Sequence, residues 1–301
     1  MQESGSCLPR ETTESMQEDS REALFRATDR ILTAEPRERN GIGMQKEKSL
    51  HAILKNYIDP DPSHQEVPVG NYIADIFCEK EGTITEIQTA GFGAMRSKLA
   101  AFLPEYRVTI VHPIPHQKTV CWISPETGEI LSQNVSHFVG SFYELFRELV
   151  RIEDVLKDPG LTIEALLLDL TEYRIQDGWG NAGKRGSHRF DRVPSAVAET
   201  LVLKRPEDYA VFLPKEGLPD PFTAKDLEKA VGIHRKAVQY SCVLKVLTAL
   251  GVTEKVGETS RRAYLYRIRI PNETGRDFCR IPKTKKRQRN TTPDCQKGSH
   301  L

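Results

Sequence analysis

The sequence predicts an α/β chain: a mixed sheet flanked by helices, followed by a small unit of two helices and a hairpin. Two observations carry the prediction. Between Glu47 and Ile114, helical stripes alternate with short β-branched runs bounded by glycine and proline. Beyond Phe222, two helix signatures precede two short alternating strands.

The elements follow in order. Residues 1–43 form an N-terminal extension, with 1–20 expected to be disordered and Arg21 to Leu32 loosely helical. Leu50, Ile53, Leu54 and Tyr57 recur at helical spacing and predict a helix from Glu47 to Tyr57 that covers one sheet face. Asn71 to Phe77 favours an extended chain, Glu79-Lys80-Glu81-Gly82 a turn, and Thr83 to Thr89 the return strand. Alternation on that strand points Glu86 and Gln88 to one face. Ala94 to Leu103 has helical periodicity and ends at Pro104; Arg107 to Ile114 then reads as a central strand, parallel to the one before the helix.

Asp75 and Glu86, eleven residues apart across the hairpin, therefore sit together at the mouth of a small sheet. Hard divalent cations take one or two carboxylates plus water and phosphate oxygens, so this pair is a minimal cage for Mg2+ or Mn2+. The Ile87 carbonyl can add a ligand.

Downstream, Phe142, Leu145, Phe146, Leu149 and Ile152 predict an amphipathic helix over Ser141 to Leu156, and Leu161 to Tyr173 a further core strand. The loop Gly178 to Arg189 is glycine-rich and basic, but it lacks a GKS or GKT ending and predicts no nucleotide site. Residues 192–204 are expected to be helical. Three prolines make 213–221 a stiff spacer. Thr223 and Asp226 approach a capping box, with Gly232 closing that helix. A second helix is expected from His234 to Leu250, then strands at Thr253 to Val256 and Ala263 to Ile268. Residues 271–301 form a basic tail containing Thr284 to Arg289.

Composition is that of an ordinary soluble protein, with 28% charged and 38% hydrophobic residues in 301. No apolar run reaches the roughly 20 residues of a spanning helix, and Met1 to Ser20 lacks the apolar core of a secretion signal, so no membrane partner and a cytoplasmic location are expected. Six cysteines without a CxxC pair argue against a zinc site and a disulfide framework. Charge is divided: Phe222 to Leu301 carries eighteen Lys and Arg against seven Asp and Glu, a balance of +11, leaving −10 for residues 1–221. The cationic end is the expected nucleic-acid surface.

Asp75 followed by Glu86-Ile87-Gln88, within helix, hairpin, helix and strand, resembles the PD-(D/E)xK or restriction-endonuclease-like nuclease superfamily in its glutamine variant. His51 to Lys55, Tyr72 to Asp75, Glu86 to Thr89 and Val111 to Ile114 further resemble a bacterial domain-of-unknown-function family. The first resemblance implies a nuclease domain over 44–212 in which Asp75 and Glu86 bind metal and Gln88 orients water. Glutamine carries no charge, so either Lys98 or Lys118 reaches in to supply the cation, or the chemistry is weak; the resemblance further implies Glu47, or its competitor Glu66, as an additional acidic ligand. Residues 222–270 are similar to a winged helix-turn-helix, which implies DNA contact through His234, Arg235, Lys236 and Gln239, with Arg261 and Arg262 at the hairpin tip. Together these imply a metal-dependent DNA endonuclease, with a homodimer left open. The alternatives are a catalytically inactive DNA-binding regulator or defence-system subunit, and a protein-interaction scaffold.

Overall fold

The structure, a computed structural model, describes residues 10–33, 49–179 and 185–274 together with Arg276 and Phe278. Its centre is a seven-stranded mixed sheet with helices on both faces. Strands β1 (Gln65–Val69), β2 (Tyr72–Cys78) and β3 (Thr83–Ile87) form an antiparallel meander. Helix α3 (Arg96–Phe102) then carries the chain to β4 (Arg107–Ile123), which runs parallel to β3. Strands β6 (Leu161–Trp179) and β7 (Arg185–Leu203) extend the sheet in the order β1-β2-β3-β4-β6-β7. Strand β5 (Ile130–Val139) pairs with the far half of β4.

Hydrophobic pattern places the layers. Helices α1 (Arg10–Thr33) and α2 (Ser49–Ile58) cover one face: Leu50 and Leu54 pack on Ile76, Ile87, Val111, Leu166 and Leu168, while Leu24, Ala27 and Ile53 form a seam against β7. On the opposite face, Met95, Leu99 and Phe102 pack against Ile84, Val108 and Ile110. Gly82, at φ 61°, supplies the left-handed residue that lets the hairpin turn.

Several expectations need correction. Helix α1 begins at Arg10, so residues 10–20 are helical. Residues 192–204 are not a helix: up to Leu203 they belong to β7, where Val202 and Leu203 pair with Glu164 and Ile163. Non-local pairing overrides the local preference of Ala196-Val197-Ala198-Glu199, and Pro194 is accommodated on the outer strand next to a register shift. The stripe from Phe142 to Ile152 is buried, but only α4 (Phe146–Leu149) is α-helical. Bonds from Arg151 to Glu148 and from Ile152 to Leu149 keep the chain in tighter turns. Strand β4 runs past Ile114 to Ile123, and β5 had no clear signal in sequence.

The C-terminal unit contains α5 (Ala224–Val231), α6 (Tyr240–Leu250) and the hairpin β8 (Thr253–Glu258) with β9 (Tyr264–Ile268). Thr223 and Asp226 form the capping box, an arrangement worth about 1 kcal/mol, and Gly232 ends α5 in the left-handed region. The second helix starts at Tyr240, six residues later than expected. The Ile233 carbonyl is taken by the Tyr240 hydroxyl, and Arg235 is anchored elsewhere, so residues 233–239 stay in a turn.

The proline-rich segment does not act as a free spacer. Leu213 is buried, and Phe212, Phe222, Leu227 and Leu244 share one core with Tyr143 and Phe146. The Tyr143 hydroxyl donates to the Phe212 carbonyl at 2.9 Å while its ring lies 6.0 Å from that of Tyr240. Phe278 packs on Phe142 and Phe212, which ties the start of the basic tail to the core. Glu47, the rest of that tail and residues 180–184 lie outside the described residues.

Candidate metal centre

The register of β2 and β3 places Ile76 opposite Thr85 and Phe77 opposite Ile84, which brings Asp75 opposite Glu86. The ladder opens there. The Ile87 N–H donates to Oδ2 of Asp75 at 2.8 Å, and the next N–H, of Gln88, donates across to the Val111 carbonyl of β4 at 2.9 Å. Side-chain alternation on β2 also reverses across Asp75: Tyr72 and Ala74 join the α3-side core, Ile76 the α2-side core, and Phe77 the α3 side again. Glu66, at the corresponding position of β1 between the Gln65 and Val67 pairings, has φ 56°. Asp75 thus sits in a fork of the sheet accessible from both helix layers.

Each layer sends a group into the fork. From α2, Nε2 of His51 lies 3.2 Å from Oδ2 of Asp75. From α3, Nζ of Lys98 lies 2.5 Å from Oε2 of Glu86, whose side chain is 4% exposed. The backbone N–H of Asp75 faces the other Glu86 oxygen at 3.4 Å.

Electrostatics separate the two carboxyls. Burial and the neighbouring charge of Asp75 push Glu86 up to about 7, against the opposing pull of Lys98. Burial also acts to raise Asp75, but the hydrogen bond and charge of His51, with the Ile87 N–H, hold it below the usual carboxylate range. One carboxylate is thus ionised under most conditions, and the other is poised near neutrality.

The structure brings Asp75, Glu86, the Ile87 backbone and Lys98 together. Gln88 lies beside them, with its side-chain amide turned to the Ala90 carbonyl. Lys118 goes elsewhere, pairing with Glu172 at 3.5 Å. Glu66 pairs with Lys55 of α2. His51 was missed as a site residue; its signal was its place beside Leu50 on the helix that faces Asp75. Among the described residues no group of three His, Cys, Asp or Glu side chains is placed to hold a metal ion.

The residues expected to read DNA are placed differently from expectation. His234, Arg235 and Lys236 precede α6, and Gln239 is its N-cap. Arg235 turns inward: its guanidinium lies 2.8 Å from Glu144, covers the Phe138 ring at 3.2 Å and donates to the Val139 carbonyl. His234 pairs with Glu228 at 3.1 Å. Arg261 and Arg262 are exposed at the hairpin tip. No described helix is long and apolar enough to cross a membrane.

A family model described as a domain of unknown function, DUF8091, matches residues 48–204, more than half of the chain. A relative from Treponema pallidum (strain Nichols), described as an uncharacterized protein, is 28% identical over 190 residues, covering 63% of this chain and 74% of the relative. No solved structure matches the chain.

Proposed function

The chain belongs to the DUF8091 family, and for it we propose a metal-dependent DNA endonuclease of the restriction-endonuclease-like type. One observation carries the reading: two strand carboxylates face each other where the sheet forks, and a lysine reaches one of them from the following helix. Lys98 supplies the cation that Gln88 cannot.

The donor set fits a hard divalent cation. Asp75, Glu86 and the Ile87 carbonyl offer only oxygen, and the mutual repulsion that helps raise Glu86 is what a cation there relieves. When bound, Mg2+ or Mn2+ stabilises the charge that builds on a phosphate during hydrolysis. His51 keeps Asp75 ionised and oriented. Lys98 directs N–H donors at the carboxylate edge where a phosphate oxygen and water would meet. Gln88 has the position for orienting water only if its amide leaves Ala90. Arg261 and Arg262 would add phosphate contacts in a winged-helix role, and a cytoplasmic location accords with DNA as substrate.

A second reading has its own support. Only two acidic side chains meet at the fork among the described residues, and Lys98 already neutralises one, which favours a DNA-binding protein that has lost catalysis.

The deciding assay incubates the full chain with supercoiled plasmid and Mg2+ or Mn2+, with EDTA as control. Nicked or linear DNA is expected from the wild type and not from Asp75→Asn or Glu86→Gln. No cleavage by the wild type, or equal cleavage by both variants, overturns the reading.

A further inference from the structure

The far halves of β4, β6 and β7 form an arm that the proposed chemistry does not use. Its register places Val120 opposite Glu172 and Trp122 opposite Arg174 between β4 and β6, and Glu172 opposite Arg192 and Arg174 opposite Arg189 between β6 and β7. Paired residues share a face, so the cations gather on one side of the sheet. Glu172, 5% exposed at its side chain, lies among them. Arg174 is 2.6 Å away, Lys118 3.5 Å and Arg189 3.6 Å.

Four cations thus surround Glu172, with Asp191 a second carboxylate acting on Arg192. Burial, and then the charge of Arg189, holds Arg192 below its usual range against the opposing pull of Glu172 and Asp191. Arg174 also lies 6.0 Å from the Trp122 ring. The β5 residues opposite Val120 and Trp122 are Asn134 and Ser132, neutral hydrogen-bonding groups. A structural ion pair needs one cation per carboxylate; two in excess, beside an aromatic and neutral polar side chains, suit an extended polyanion.

We propose that this face of the arm, centred on Lys118, Arg174 and Arg189, is a binding track for the phosphate backbone of duplex DNA. The choice of DNA rests on the nuclease reading above. Strand β4 links track and fork: Val111, which accepts the Gln88 N–H, and Lys118 are seven residues apart on it, roughly 23 Å at about 3.3 Å per residue. That span corresponds to about seven base-pair steps at ~3.4 Å each. The track also does what Arg235 cannot do while held by Glu144.

The test measures equilibrium binding of the full chain to a fixed duplex in EDTA across a salt series, so that cleavage plays no part. Each lost phosphate contact flattens the slope of log affinity against log salt by about 0.9, so Lys118→Ala with Arg174→Ala should lower it by nearly 2. Glu172→Gln removes the carboxylate that Lys118, Arg174 and Arg189 share and should tighten binding and steepen the slope. A misfolded variant cannot imitate that gain, so Glu172→Gln decides if the double variant fails to fold. An unchanged slope in all variants overturns the track. If the track variants respond while plasmid cleavage is absent, the nuclease reading fails and the track stands; cleavage with unresponsive track variants gives the reverse.

Discussion

Nζ of Lys98 and Oε2 of Glu86 stand 2.5 Å apart, joining α3 to β3 over twelve residues of sequence, with Asp75 on the far side of the same carboxylate. On the proposed nuclease reading, this contact supplies the positive charge from a helix instead of from the strand position held by Gln88. Lys98→Ala should therefore lower cleavage by about a hundredfold or more, the usual loss for a preorganised donor at a reacting centre. Adding Gln88→Lys to Lys98→Ala should recover part of it. Rates from single-turnover cleavage check both, and an unaffected Lys98→Ala would remove the lysine from the site.

Glu86 makes stability depend on pH in a defined direction. Its folded value, raised to about 7 from 4.5 chiefly by burial, means the folded state holds this proton more tightly than the unfolded one. The contribution is fully present below about 4.5 and is lost as pH rises to about 7, by at most about 3 kcal/mol. Denaturant midpoints in EDTA should fall over this window in the wild type. Glu86→Gln should lack that fall, and a divalent cation should offset it most above pH 7.

His51 acts on Asp75 in the opposite direction. His51→Ala removes the hydrogen bond at 3.2 Å, so burial acts with less opposition and the Asp75 carboxyl titrates at higher pH. Cleavage should then lose its acid limb at higher pH than in the wild type, while His51→Gln should recover part of the difference. Superimposable pH profiles would leave His51 without a role at the fork.

Gly140 lies where β5 returns to β4, its N–H donating to the His116 carbonyl at 2.8 Å. A Cβ there would come 1.8 Å from the Pro115 carbonyl oxygen, which is backbone and cannot swing aside. Gly140→Ala should cost about 3 kcal/mol or more, read as a lower denaturant midpoint.

Arg235 ties the C-terminal unit to the sheet domain. Arg235→Ala leaves Glu144 half-buried without its cation and should destabilise the chain by about 1 to 3 kcal/mol. DNA sequence preference should be unchanged, the reverse of the effect expected of a recognition-helix residue. For the same reason, truncation at Asp220 should yield an aggregating fragment, because Tyr143, Phe146 and Phe212 lose their cover. A monomeric, cooperatively unfolding fragment would contradict this packing.

The hairpin around Asp75 and Glu86, helices α2 and α3 and the capped α5 were legible because each depends on local signals: alternation, a 3.6-residue stripe, a glycine turn, a Thr and Asp cap. Residues 192–203 misled because their helix-favouring composition is outweighed by pairing with β6, and no neighbour in sequence reports that pairing. Arg235 misled because a cation near a helix start reads as solvent-facing until Glu144 and Phe138, almost a hundred residues away, are packed against it. Lys98 and Lys118 were equally good candidates in sequence; only the crossover of α3 onto β3 and the register of β4 with β6 sent one to Glu86 and the other to Glu172.

By itself, then, the sequence determined the strand carrying each acid and their nearness at one end of the hairpin, since a period of two and a polar turn closing on glycine are local signals. Tertiary structure alone decided the opening of the ladder at Asp75, the choice of lysine and the gathering of Lys118, Arg174 and Arg189 around one buried carboxylate. These depend on contacts between segments far apart in the chain, whose energies exist only once the layers have packed.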